Sequence, residues 1–83
     1  MKLLYFAWVR TRIGLASEEV LPPEGVRDVA GLLAWLAGRG PNYAAALAEP
    51  ALVRVAVNQD YVRPGHPVAA GDEIALFPPV TGG

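Results

Sequence analysis

The sequence contains no cysteine. That excludes disulfide staples, zinc knuckles and thiol catalysis together. It has one histidine, His66, set between Gly65 and Pro67. Without a second imidazole or a thiolate this is a loop residue and not a metal ligand, and no metal is expected. Charge is also sparse: seven basic and eight acidic residues leave a net charge of −1. No Lys/Arg run could track a phosphate backbone, so nucleic acid is not an expected partner. No apolar stretch approaches the roughly 20 residues of a membrane span, so a membrane is not expected either. The opening MKLLYFAWV is apolar from Leu3 to Val9, but Arg10 and Arg12 follow it where a secretory leader would have a small-residue cleavage site. A buried strand is the better reading, and a cytoplasmic location is the default expectation.

What remains is a short chain with a modest core. Its 83 residues fit one domain. Leu, Ile, Val and Phe supply 24 of them, enough to leave the disordered range. A domain of this size buries only about 60% of the surface its unfolded chain exposes, so the core either holds itself or is helped by a partner.

Lys2 to Arg10 is rich in aromatic and branched residues and reads as a strand. Period two places Leu3, Tyr5, Ala7 and Val9 on one face and Leu4, Phe6 and Trp8 on the other. Both faces are apolar, so the second must meet something, in this chain or another. Thr11 to Ala16, with Gly14, reads as a hairpin connection to a short strand over Ser17 to Leu21. Pro22-Pro23-Glu24-Gly25 ends that strand. From Val26 to Gly40 the period changes: Val26, Val29, Leu32, Leu33 and Leu36 form one helical stripe. Asp28 near its start and Arg39 near its end suit the helix dipole. Gly31 costs about 1 kcal/mol relative to Ala inside a helix, which close approach to the sheet would explain. Pro41 to Glu49 adds a short helix that Pro50 ends.

Leu52 to Val57 is a third strand, with Val53, Val55 and Val57 on one face. Asn58-Gln59-Asp60 is a turn, Tyr61-Val62 a very short strand, and Arg63 to Pro67 a loop. Asp72 to Phe77 is the last strand, with Ile74 and Leu76 on one face and Ala75 and Phe77 on the other. This order describes an α+β domain, one helix layer on one sheet, and it allows the last strand to pair beside the first in the middle.

The usual catalytic constellations are missing. Asp72 and Glu73 are adjacent and point to opposite faces of a strand, so they cannot flank one bond. Ser17 has no base nearby. Gly38-x-Gly40 follows a helix instead of opening one, which is the wrong place for a phosphate loop. The informative segment is the end, Pro78-Pro79-Val80-Thr81-Gly82-Gly83. Fully extended, six residues reach at most about 20 Å. Two prolines stiffen the base of such an arm. Two glycines leave its tip bare enough for a channel too narrow for any Cβ.

Gly71 to Gly83, ending Phe77-Pro78-Pro79-Val80-Thr81-Gly82-Gly83, resembles the C-terminus of the molybdopterin synthase small subunit family, the sulfur carriers of molybdenum cofactor synthesis. Tyr5-Phe6-Ala7-Trp8-Val9-Arg10 is similar to that family's first strand, and Ala56-Val57-Asn58-Gln59 to the end of its third. The resemblance touches both ends and the middle of the chain. It implies a ubiquitin-like β-grasp fold over residues 1–77, a mixed sheet of four to five strands with one main helix on one face. Residues 78–83 would be a flexible tail.

The resemblance also implies the chemistry. A plain terminal carboxylate is ionised at pH 7 and is a poor acyl electrophile. An adenylating partner resembling ubiquitin-activating enzymes would use ATP to form an acyl-adenylate at Gly83, and a sulfur donor would displace AMP to leave a thiocarboxylate. The tail would then enter the large subunit of molybdopterin synthase, where the sulfur attacks the cyclic pyranopterin monophosphate precursor. The chain would thus be the small subunit of a sulfurtransferase, not catalytic alone and binding no cofactor of its own. Gly83 would be its reacting group. The partner-binding set would be Gly82, Thr81, Val80, Pro79, Pro78 and Phe77, with Phe6 and Tyr61 completing an apolar patch on the open face of the sheet. Two alternatives share the bare tail: a carrier for thiamine or another thiolation pathway, and a ubiquitin-like modifier whose last glycine ends in an isopeptide bond.

Overall fold

The structure, a computed structural model, describes residues 1–79. Its sheet has five strands: β1 (Lys2–Tyr5), β2 (Ser17–Glu19), β3 (Arg54–Val57), β4 (Asp60–Val62) and β5 (Glu73–Phe77). Their order is β2-β1-β5-β3-β4. The last strand therefore lies in the middle. It pairs parallel to β1, with Tyr5 beside Leu76, and antiparallel to β3, with Val55 beside Leu76. The mixed sheet and its central last strand match the arrangement expected from the sequence.

Alternation decides which side is buried. Leu3, Tyr5, Val55, Val57, Ile74 and Leu76 share one face and are all buried. Opposite them, α2 (Val29–Ala37) buries Val29, Leu32, Leu33 and Leu36. Asp28 caps this helix: its Oδ1 accepts from the Gly31 N–H at 2.7 Å. Gly31 is explained by that cap. A Cβ at position 31 would stand 3.0 Å from the same Asp28 oxygen, so the crowding is local and the expected close approach to the sheet is not its cause. A short helix, α3 (Pro41–Ala46), begins with Pro41 in its first turn. Pro50 opens a separate 3₁₀ turn, Pro50–Leu52, ahead of β3.

The first strand is shorter than its composition predicts. It ends at Tyr5, and Ala7–Ile13 form a helix, α1, where a strand and a hairpin connection were expected. The chain breaks at Phe6 and Ala7. The Phe6 N–H still donates to the Leu76 carbonyl, and Ala7 then takes a positive φ of 52°. Beyond the break the period is 3.6: Val9 and Ile13, four apart, are buried, and Gly14 closes the helix at φ 91°. Ala7 is consequently exposed and does not face the core with Leu3 and Tyr5. Trp8 no longer shares a strand face with Phe6. It packs partly against the core, with the Arg12 guanidinium 4.6 Å from its ring centroid. The α1 helix lies against α3, and Asn42 Nδ2 donates to the Ile13 carbonyl at 2.6 Å.

A polar cluster ties these pieces together. Tyr5 from β1 and Tyr43 from α3 both donate to Glu18 Oε2, at 2.8 and 2.6 Å. Arg39, just past α2, donates to Glu18 Oε1 at 2.9 Å. Burial pushes the Glu18 carboxyl up, but the three hydrogen bonds and the Arg39 charge outweigh it and hold the group below its usual range. Burial, and then the bond to Glu18, push both tyrosine hydroxyls up.

Candidate functional site

Among the described residues no helix covers the other face of the sheet. Register places Leu4, Ala75, Ala56 and Tyr61 in one row across it. Phe77 and Arg54 form the next row. The Tyr61 and Phe77 rings meet here, with centroids 5.5 Å apart and planes tilted by 45°. Tyr61 is 81% exposed, an unusual state for a large aromatic side chain. Ala56 is buried although it lies on this open face, in register between Ala75 and Tyr61.

Tyr61 is held out by the turn before it. Asn58 and Gln59 both have positive φ, 50° and 74°, and link Val57 to Asp60 as a two-residue hairpin loop. Asn58 also fastens this loop to β5. Its N–H donates to the Glu73 carbonyl at 2.8 Å, and its Oδ1 accepts from the Glu73 N–H at 3.0 Å. The hairpin that carries Tyr61 is thereby fixed to the strand that carries Phe77.

Of the residues expected to meet a partner, Tyr61 and Phe77 are brought into contact. Phe6 is 49% exposed and stands just past the end of β1, where its N–H bonds to Leu76, the residue before Phe77. Pro78 and Pro79 follow β5 directly and are partly exposed. Val80, Thr81, Gly82 and Gly83 lie outside the described residues. His66 is exposed in its loop, where its carbonyl accepts from the Val29 N–H at 3.0 Å. Asp72 is a turn residue, accepting from the Ala69 N–H at 2.8 Å and from Asn58 Nδ2 at 3.0 Å. Among the described residues no group of three or more His, Asp or Glu could hold a metal ion. No helix among them is long and apolar enough to cross a membrane.

Arg54 and Arg63 are two features of this region that motif reading passed over. Both are exposed, and neither forms an ion pair among the described residues. Strand parity was the available signal for Arg54, which lies two residues before Ala56 on the same face.

This geometry is an aromatic patch beside Pro78 and Pro79, the base of a Pro-Pro-Val-Thr-Gly-Gly segment. The model of the family described as "ThiS family" matches residues 3–83. The chain belongs to the ThiS family. Across its full length it is 41% identical to the molybdopterin synthase sulfur carrier subunit of Escherichia coli (strain K12), 99% of which is covered. It is 38% identical to the protein of the same name in Haemophilus influenzae, again over all of this chain and 99% of that one. Among solved structures, SAMP1 from Haloferax volcanii superposes with a TM-score of 0.75 at 30% identity, covering 100% of this chain and 98% of the other. The ubiquitin-like β-grasp fold read from the sequence holds.

Proposed function

We propose that this chain is the sulfur-carrier, small subunit of a molybdopterin synthase, and that Gly83 is the group that carries the sulfur. The observation that carries the reading is where the tail begins. The central strand of the sheet ends at Phe77, in an exposed aromatic contact with Tyr61, and the chain continues directly as Pro-Pro-Val-Thr-Gly-Gly. Such a body offers a docking face and a reacting end in one place, and leaves the pocket to a partner. Full-length similarity to two sulfur carrier subunits supports the same reading.

The chemistry follows from the terminal acid. Its carboxylate oxygen attacks the α-phosphorus of ATP on an activating adenylyltransferase, and pyrophosphate leaves. Sulfide-level sulfur from a donor then attacks the acyl carbon, AMP leaves with the electron pair of the acyl C–O bond, and loss of the S–H proton yields a thiocarboxylate. Held in the large subunit, that sulfur attacks a carbon of the pyranopterin precursor and displaces an oxygen substituent; water then cleaves the acyl C–S bond, which leaves the sulfur on the precursor and regenerates the Gly83 carboxylate. The chain's own residues bind and aim: Tyr61, Phe77 and Phe6 dock, Pro78 and Pro79 stiffen the arm, and Gly82 and Gly83 let the backbone enter a narrow channel. Because Gly83 lies six residues beyond Phe77, where the last strand ends, extending the chain beyond Gly83 or deleting it should abolish precursor conversion and leave the fold intact.

The test is the intact mass. After incubation with an activating enzyme, ATP and a sulfur donor, the chain should gain about 16 Da, the exchange of one oxygen for sulfur. An unchanged mass would remove the mechanism. A second reading, attachment to lysines of other proteins, is favoured by the likeness to a small archaeal modifier protein. Reductant-resistant conjugates of higher mass in a native extract would support it.

A further inference from the structure

A groove of about 870 Å³ runs along the side of the molecule, between α2 and the β3–β4 end of the sheet. One wall is the exposed small-residue face of α2, Ala30 and Ala34 with Ala37. The floor is made by Val53 and Val55 of the buried layer. The far wall is reached through Tyr61 and Phe77, so the groove and the aromatic patch form one continuous surface. The groove stays open because β4 ends at Val62, opposite Val55, and leaves Val53 and Arg54 without a neighbouring strand on that side. The Pro64 carbonyl turns away to accept from the Ala30 N–H.

Its charge is one-sided. Among the described residues Arg54 and Arg63 are the only charged ones that line it, in a chain whose net charge is −1. Neither is in an ion pair among the described residues. A guanidinium presents a planar fork that matches a carboxylate, and two beside an apolar trough select a ligand that is apolar along its length and acidic at one end.

We infer that the large subunit of the synthase lays a segment of apolar side chains flanked by carboxylates in this groove, as a second point of attachment beside the tail. The inference rests on the sulfur-carrier reading. The groove extends the contact past the edge of the open face, with which it shares Tyr61, Phe77 and Arg54, onto the exposed side of α2. Tail insertion alone holds the carrier by a few residues, whereas a groove contiguous with Tyr61 and Phe77 extends the contact without a new orientation of the body. The arginines steer approach and fix register, and the apolar trough supplies the buried area.

The test is titration of the purified large subunit with the full chain by calorimetry, at low and at high salt. Ala34→Glu places a carboxylate in the trough at an exposed helix position, and Arg54→Glu with Arg63→Glu reverses the charge. Each is expected to weaken binding about tenfold or more, with circular dichroism unchanged. Arg54→Lys with Arg63→Lys should keep most of the affinity, and the charge-reversed chain should lose the salt dependence of the native one. Equal binding by native and variant chains would overturn the inference and leave the carrier reading standing. A native chain that neither binds the large subunit nor gains sulfur mass would overturn both. Self-association that Ala34→Glu abolishes, with large-subunit binding unchanged, would give the groove to a second copy and overturn the inference as well.

Discussion

Tyr43 donates to the same Glu18 oxygen, Oε2, that already accepts from the Tyr5 hydroxyl. One carboxylate thus joins a central strand, an edge strand and a helix, and with Arg39 it reaches the end of α2 as well. The Tyr5 side chain is fully buried, so its hydroxyl has no water to turn to if Glu18 is lost. Glu18→Ala is expected to destabilise the fold by about 1–3 kcal/mol, the cost of leaving a buried polar group unpaired. Tyr43→Phe, which leaves Tyr5 paired, should cost about 1 kcal/mol. Urea denaturation with the two variants side by side measures the difference.

The same carboxylate makes stability depend on pH. Its pKa lies below the ordinary 4.5 in the folded chain, so near and below pH 4.5 the unfolded chain binds more protons. The stabilisation is therefore complete above that pH and is lost as pH falls through the lower folded value. The melting temperature of the native chain should fall on acidification below about pH 4.5, and Glu18→Gln should flatten that part of the profile. A Glu18→Gln chain that kept the full acid slope would place its origin elsewhere.

Gln59 occupies a left-handed conformation that glycine adopts without strain, next to Asn58 in a two-residue hairpin. Gln59→Gly creates the pairing such turns prefer. After the entropic cost of glycine, it should stabilise the chain by about 0.5–1 kcal/mol. For a domain of this size the melting temperature should rise by about 2–8 °C.

Gly31 and the Asp28 cap are coupled. Alanine at position 31 gains helix propensity of about 1 kcal/mol but crowds the Asp28 carboxylate, whose capping bond is worth a similar amount. Gly31→Ala should be near neutral in the native chain and stabilising by about 1 kcal/mol in Asp28→Ala. A double-mutant cycle by chemical denaturation reads the coupling directly.

Tyr61 is exposed and carries no core contact that its loss would break. Tyr61→Ala should leave the melting temperature within about 2 °C and weaken large-subunit binding about tenfold, near 1.4 kcal/mol. Calorimetric titration and a thermal scan on the same sample separate the two effects.

Most of the fold could be read from periodicity because burial on one face leaves a plain mark. Val53, Val55 and Val57 alternate, Ile74 and Leu76 alternate, and the stripe from Val29 to Leu36 repeats at helical spacing. The α1 helix was hidden for a physical reason. Tyr5 to Val9 is composed of residues that favour strands, and the break at Ala7 is set by tertiary contact with Leu76 and by a backbone angle that composition does not report. Val9 and Ile13 with Gly14 behind them were the local signal. The Glu18 cluster left no local mark, because its partners lie 13, 21 and 25 positions away along the chain. At the site, the aromatic patch was expected from the family resemblance, and the register of β5, β3 and β4 brings Tyr61 and Phe77 together. The groove did not, since it depends on where β4 stops.

The parallel pairing of β1 and β5 at the middle of the sheet has a mechanical meaning. A load drawn along the tail is passed at once to a strand gripped on both sides, where adjoining hydrogen bonds share the shear instead of opening one after another. Under the proposed carrier role, a partner that draws the end out would load a strand braced on both sides, so the body would stay folded while the end is released.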